Sequence, residues 1–149
     1  MPREYPEHPL VGVAAAVWRD AHVLLIQRLN PPRAGAWSLP GGLLGVGETL
    51  AEGAAREVRE ETGCEITVGP VVATIDSITH ADDGRVQYHY VLVDLVATWR
   101  SGAGTAGDDA HRVAWATLDE LASYNLWSET ERVIREAWRV LDEGDGERR

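Results

Sequence analysis

The chain has one cysteine, no lysine and no apolar run long enough to cross a membrane. A lone cysteine excludes an internal disulfide and suits a reducing cytosol. The absence of lysine rules out lysine Schiff bases and P-loop chemistry; all fourteen basic residues are arginine. Basic charge is scarce overall, since 24 acidic residues leave a net charge of −10. A nucleic-acid surface normally needs a basic face, so no nucleic-acid partner is expected. A polyanionic substrate has to arrive with a metal or meet local arginines. The opening MPREYPEHPL lacks the apolar core of a signal peptide, so the protein is expected in the cytoplasm, off the membrane. The histidines form no pair with metal-ligand spacing such as HxxxH, which argues against zinc.

What is present reads as one domain. A length of 149 residues suits a single core, and 44% hydrophobic with 26% charged residues is a globular composition. Residues 1–9, with three prolines, and the polar stretch 142–149 read as flexible tails. Val11–Trp18 and Val23–Gln27 are predicted strands joined as a hairpin through residues 19–22. Residues 30–36 (NPPRAGA) are a loop. A strand is expected from about Val71 within 65–78, then a turn at 81–84 and a long strand over Arg85–Trp99. Tyr88, His89 and Tyr90 on that strand read as sheet and pocket residues. Residues 100–112 are small and flexible, and Val113–Ala116 is a short last strand. Thr117–Glu120 and Ser128–Glu131 are predicted to cap two further helices, the second burying Val133, Ile134, Ala137, Trp138 and Leu141.

The most informative stretch is Gly42–Cys64, GLLGVGETLAEGAAREVREETGC. Thr49 and Glu52 have the spacing of a capping box, and Gly63 stands where a left-handed C-terminal cap is needed. Between them lies a predicted helix. With Glu57 at zero and about 100° per residue, Glu61 falls at about +40° and Glu60 at about −60°. Leu50, Ala51, Ala54, Ala55 and Val58 then occupy an adjoining apolar face. Like charges so close repel by roughly 0.2–0.5 kcal/mol per exposed pair, a cost that a hard divalent cation would offset. The plainer alternative is a solvated acidic face with Arg56–Glu60 as an i,i+4 pair. Gly53, mid-helix on the carboxylate side, costs about 1 kcal/mol against alanine and points to a need for small volume there.

Glycine at 42, Glu48, Arg56-Glu57, Glu60-Glu61 and Gly63 stand at the spacings of the Nudix box, which the stretch resembles. Cys64 departs from the bulky aliphatic residue usual there, a change that touches packing more than chemistry. The resemblance implies the Nudix fold, an α+β (α/β sandwich) architecture with a mixed β-sheet between helices. It implies hydrolysis of a phosphoanhydride with Mg²⁺, or Mn²⁺ substituting, held by the Gly41 carbonyl, Glu57 and Glu61. Glu60 would bind a second ion through water or polarise the nucleophile, and Arg56 would orient the glutamates. Glu48 would accept from the loop or assist proton transfer. Arg28 is either a surface charge or a grip on a substrate phosphate, and Trp37 either core, a pocket wall or a stacking platform. Counting six residues back from Trp115 gives Asp109, beside Asp108, as an acid supplied from a loop; the alternative is an acidic turn. The box alone does not assign the general base.

The partner expected is a small-molecule nucleotide. From Trp37 to Trp115 the chain looks most like small ADP-ribose pyrophosphatase-type members, although Thr79 and His80 stand where many ADP-ribose enzymes have a proline. The alternatives are a nucleoside triphosphate pyrophosphohydrolase, including one acting on oxidised dGTP, or a non-catalytic nucleotide-binding module. The latter generally lose the glutamates kept here. Members of the family are often dimers, and six tryptophans are available to a homodimer interface.

Overall fold

The strand β1 (Leu10–Arg19) is apolar on both faces because it runs through the middle of a sheet covered on both sides. The computed structural model describes residues 3–30, 33–107 and 110–147. A turn at Asp20 and Ala21, with Asp20 at φ 53°, leads into β2 (His22–Arg28). Next come the short strands β3 (Trp37–Ser38) and β4 (Gly41–Leu43) and helix α1 (Leu50–Thr62). The long strands β5 (Glu65–His80) and β6 (Val86–Ser101) follow, then β7 (Ala110–Ala116), a 3-10 helix (Leu118–Tyr124) and α2 (Ser128–Glu147). The order β3-β2-β1-β6-β5, with β4 on β1 and β7 on β2, makes a seven-stranded sheet. It is mixed, since β1 and β6 run parallel and the other pairs antiparallel.

Alternation along β1 divides the core. Val13, Ala15 and Val17 pack with Ala54 and Val58 of α1, whereas Ala16 and Trp18 pack with Val133, Ile134 and Ala137 of α2. Two helices therefore cover opposite faces, the α+β sandwich expected. Cys64 is fully buried in the α1 layer as a small apolar residue. Fully burying one leucine, isoleucine or valine contributes about 1.5–3 kcal/mol, and Val13, Val17, Leu24, Leu25 and Ile26 are all buried at the centre of the sheet.

The sheet forks beside α1. β1 and β2 pair only at Trp18↔Val23 and Arg19↔His22. Beyond that, β2 turns to β3 and β7, while β1 takes β4 through Gly12↔Leu43, Val13↔Gly42 and Ala14↔Gly41. The fork sets Gly41 and Gly42 beside the box helix, and both positions demand glycine. A methyl at Gly41 would run into the Val13 carbonyl, and one at Gly42 would lie 2.5 Å from the Glu57 carboxylate.

Several elements differ from the expectations. β5 begins at Glu65, not near Val71, and passes through Gly69-Pro70 by register shifts between Val68 and Ala73. Proline lacks an N–H, but β5 is the outer strand beside β6, where a missing ladder bond is tolerated. β7 starts at Ala110, ahead of the expected Val113. Ser128 is the first residue of α2 and not its cap, and the Glu131 amide donates to the Trp127 carbonyl. The helix also runs past Leu141 to Glu147. Near the N-terminus, the Tyr5 amide donates to Gln87 and Arg85 covers the Tyr5 ring at 4.2 Å, so this part of the arm lies along β6. Among the described residues no helix is long and apolar enough to cross a membrane.

α1 keeps the ends that its residues dictate. Thr49 Oγ1 accepts from the Glu52 amide at 3.1 Å and Glu52 accepts from the Thr49 amide at 3.3 Å, while Gly63 closes the helix at φ 73°. Its buried side is Gly53, Ala54, Val58, Glu61 and Thr62; Ala51, placed on the apolar face by the helical wheel, is exposed. Replacing the cap by Thr49→Ala is expected to cost about 1 kcal/mol and lower the melting temperature by roughly 2–4 °C. A calorimetric scan showing no decrease would mean that packing alone holds this helix end.

Candidate active site

Arg56 is the hub of the acidic cluster. Its Nε donates to Glu48 Oε2 at 2.6 Å and its Nη2 to Glu48 Oε1 at 2.8 Å, a two-bond grip. Nη1 reaches Glu57 Oε1 at 2.8 Å and Glu60 Oε2 at 3.2 Å, and Nη2 also donates to the Leu43 carbonyl at 3.0 Å. One planar fork thus ties the loop before α1, the face of α1 and strand β4 together. Glu48 in addition accepts from the Gly45 amide at 2.7 Å. These contacts, the Arg56 bond first, hold its carboxyl down at about 2. A carboxylate held that way is a weak base. The bonds to Glu48 and then Glu57 raise the Arg56 pKa in turn.

Gly53 explains itself in the same place. A Cβ there would lie 2.7 Å from Leu44 Cδ1 and 3.3 Å from Val13 Cγ2, so the small volume lets α1 sit against β1 and the loop.

Glu61 takes a different partner. It is 4% exposed, and its Oε1 accepts the Gly41 amide at 2.7 Å. Glu61, Glu57, Gly41 and Gly42 line a small pocket of about 60 Å³ together with Arg28 and Asn30. Glu60 stands apart, with its side chain 44% exposed on the solvent side of Arg56. Among the described residues, no three His, Cys, Asp or Glu side chains gather closely enough to hold a metal ion. The expected trio of Glu57, Glu60 and Glu61 is therefore not assembled as a ready-made cage. Arg56 draws Glu57 and Glu60 toward itself, and Glu61 turns to Gly41. Two carboxylates still border one pocket at which glycine leaves room. That donor set suits a hard cation such as Mg²⁺, which binds through one or two carboxylates and completes its shell with water and substrate phosphates.

The small pocket adjoins a cavity of about 410 Å³, and Arg3, Arg28, Gly41 and Gly42 line both. Arg28, at the end of β2, thus stands where the two spaces meet. Trp37 forms part of the cavity wall and meets Tyr124 edge-on at 5.1 Å between ring centres. Tyr90 lines the cavity as well, and Tyr88 stacks on it at 6.5 Å. Asp108 and Asp109 lie outside the described residues. The loop leading to them is anchored on α1, where the Thr105 amide donates to the Thr62 carbonyl and the Gly107 amide to the Glu61 carbonyl.

Sequence reading missed several cavity residues, of which three stand out. Trp127 lies under the Arg33 guanidinium at 4.0 Å. Burial and then the nearby Arg28 charge lower the Arg33 pKa, a sign of crowded positive charge. Asp94 was hidden within the apolar run VLVDLVA, where a lone acid on a strand looks like an exposed position. It is instead 6% exposed, lines the cavity, and its burial pushes the carboxyl up to about 6 against the opposing pull of Arg132. The protonated form therefore favours the folded chain below about pH 4, and that contribution is lost as pH rises through about 6. The six tryptophans are engaged inside the chain. Trp18 meets Trp138 at 4.8 Å, Trp99 and Trp115 flank Arg19, and Trp37 and Trp127 line the cavity.

A family model described as NUDIX domain matches residues 8–137. The chain is 32% identical over 132 residues to an ADP-ribose pyrophosphatase of Methanocaldococcus jannaschii, covering 89% of this chain and 75% of that protein. It is 49% identical over 115 residues to a putative 8-oxo-dGTP diphosphatase 2 of Mycobacterium tuberculosis, covering 74% of this chain and 75% of that one. Among solved structures, a MutT NUDIX hydrolase from Burkholderia pseudomallei superposes with a TM-score of 0.74 at 30% identity, covering 87% of this chain and 98% of that chain.

The fork at Arg56 yields a measurable consequence. Arg56→Lys keeps the charge but loses the planar donors, so the Glu48 carboxyl is expected to titrate at least about one pH unit higher in carboxylate NMR. An unchanged titration would show that a point charge suffices and that the two-bond grip is incidental.

Proposed function

Because this chain belongs to the Nudix hydrolase family, we propose that it cleaves the phosphoanhydride of a nucleoside diphosphate linked to another moiety, ADP-ribose or a close analogue, with Mg²⁺. The supporting observation is the junction of an acidic pocket and a large, partly aromatic cavity at Gly41, Gly42 and Arg28. A diphosphate at that junction has its charged part beside the carboxylates and its organic part among the tryptophans. Cavities of this size take drug-sized ligands, and a nucleoside is of that order.

Glu57, Glu61 and the Gly41 carbonyl would hold the Mg²⁺, or Mn²⁺ in its place, with Glu60 reaching it through water. Bound there, the ion neutralises phosphate oxygens and makes a water more acidic. Arg28 and Arg3 are placed to grip the non-bridging oxygens. Arg56 keeps Glu48 and Glu57 from swinging as the charge redistributes, which lowers the reorganisation required. Trp37 and Trp127 exclude water from the organic part and offer faces for stacking. For the proton of the attacking water, Glu48 is a poor acceptor while Arg56 holds it. Asp109 is the favoured acceptor, on a loop whose preceding residues are bonded to the backbone of α1 at Thr62 and Glu61.

The higher identity to the putative 8-oxo-dGTP diphosphatase favours a second reading, pyrophosphohydrolysis of a nucleoside triphosphate such as oxidised dGTP. Both readings place the same reaction on the same residues and differ in the occupant of the cavity. A phosphate-release panel over ADP-ribose, dinucleoside polyphosphates, dNTPs and 8-oxo-dGTP, with and without Mg²⁺, separates them. Turnover of 8-oxo-dGTP well above ADP-ribose would displace the first reading, and no turnover of any of them would displace both.

Glu57→Gln and Glu61→Gln are expected to stay folded, since glutamine still accepts from Gly41 or Arg56, while turnover falls at least about a hundredfold. Near-normal Mg²⁺-dependent turnover in either folded variant would remove that residue from the metal's ligands. Asp109→Asn is expected to lower the maximal rate at least about tenfold, and more than Asp108→Asn does. Equal and small effects from the two would return the proton transfer to Glu60 or Glu48.

A further inference from the structure

We infer that Asp94 is a specificity-determining residue whose carboxylate accepts an N–H-bearing edge of the heterocycle occupying the large cavity. The inference deepens the nucleotide reading above and rests on it.

Asp94 lies on the face of β6 that Tyr90 and Leu92 also present to the cavity, following the two-residue repeat of a strand. Its register partners are Ala14 on β1 and Ala73 on β5. Directly opposed residues point to the same face, so two of the smallest side chains flank the carboxylate and leave space around it. Despite 6% exposure, Asp94 Oδ2 has no hydrogen-bond partner. Buried polar atoms are nearly always paired, because an unmet acceptor costs about 1–3 kcal/mol.

Nothing among the described residues relieves that cost. Arg132 is the cation that acts on Asp94, but its guanidinium is bonded to Glu129, with Nη2 at 2.6 Å and Nε at 3.2 Å. A carboxylate that lines a cavity, with one oxygen buried and without a donor, is matched by a ligand that brings donors. Around it, Trp37, Trp127 and Tyr90 supply flat aromatic surface, and Ser77 and Asn125 supply further polar groups. Flat walls and one strong acceptor describe a site for a planar heterocycle with an amino or imino N–H. A site with an unmet acceptor rejects an analogue that lacks the donor, because the acceptor then stays unpaired.

The test removes the contact from each side in turn. Dissociation constants of AMP, GMP and purine riboside 5′-monophosphate, which carries no amine, are measured by calorimetry on the full chain. The tighter of AMP and GMP is expected to bind at least about tenfold better than the amine-free nucleotide. In Asp94→Ala that ratio is expected to fall below about threefold, and in Asp94→Asn, whose amide oxygen still accepts, to an intermediate value. A role in packing alone would weaken all three ligands alike and leave the ratio untouched. An amine preference missing in the wild type, a comparison that needs no variant to fold, overturns the inference. So does a folded Asp94→Ala protein with the wild-type ratio. If the wild type hydrolyses nucleotides yet shows no such preference, only this inference falls. If it neither binds nor hydrolyses any nucleotide, the functional reading falls as well.

Discussion

Crowded negative charge is the constraint around which this structure is arranged, and the Arg56 guanidinium meets most of it. Glu48 in the loop and Glu57 and Glu60 on the helix would otherwise repel one another. A planar cation with several fixed donors satisfies them at once and retains a donor for the Leu43 carbonyl. The contact to Leu43 turns a local charge problem into a tertiary one. Through it the helix face is registered against β4, and through β4 against the central strand β1. Ion pairs on an open surface contribute little, but this arginine is 30% exposed and its two closest partners less. Its value lies in fixing positions more than in stability.

The remaining carboxylate, Glu61, is buried and accepts a backbone amide, that of Gly41. The cluster therefore has two differently prepared parts: one gathered around Arg56, the other buried beside a small pocket. A divalent ion held at the second part, as proposed above, would compete with Arg56 for Glu57. An arginine suits this position because an ammonium could not span Glu48, Glu57 and the Leu43 carbonyl together.

The parts legible in the residues are those fixed by local contacts. The caps at Thr49 and Gly63, the hairpin at Asp20 and the buried face of α2 each follow from neighbours within a few positions. What escaped depends on distant partners. Pro70 and Gly69 look like a strand break, yet pairing with β6 carries β5 through them with a shifted register. Ala51 has an apolar side chain at an apolar angle, but the loop and sheet reach the helix on the Gly53 side instead. Ser128 has capping chemistry, yet the chain enters α2 one residue earlier, at Trp127. Asp94 was the hardest to see, because whether a lone acid in a strand is wet or buried is decided by which helix covers that face.

The glycine wall shared by the two spaces also bears on how such a chain can be altered. Gly41 and Gly42 are closed to any side chain for unrelated reasons, one by the backbone of β1 and the other by a carboxylate. The wall that borders the acidic pocket is thus fixed by its immediate neighbours. Another part of the cavity wall, built from Trp37, Trp127, Tyr90 and Asp94, is carried on separate strands and a loop outside the box. On the proposed reading, substitutions there would reshape what enters while leaving the box residues in place. A scaffold divided in this way lets selectivity diverge without redesigning its reaction.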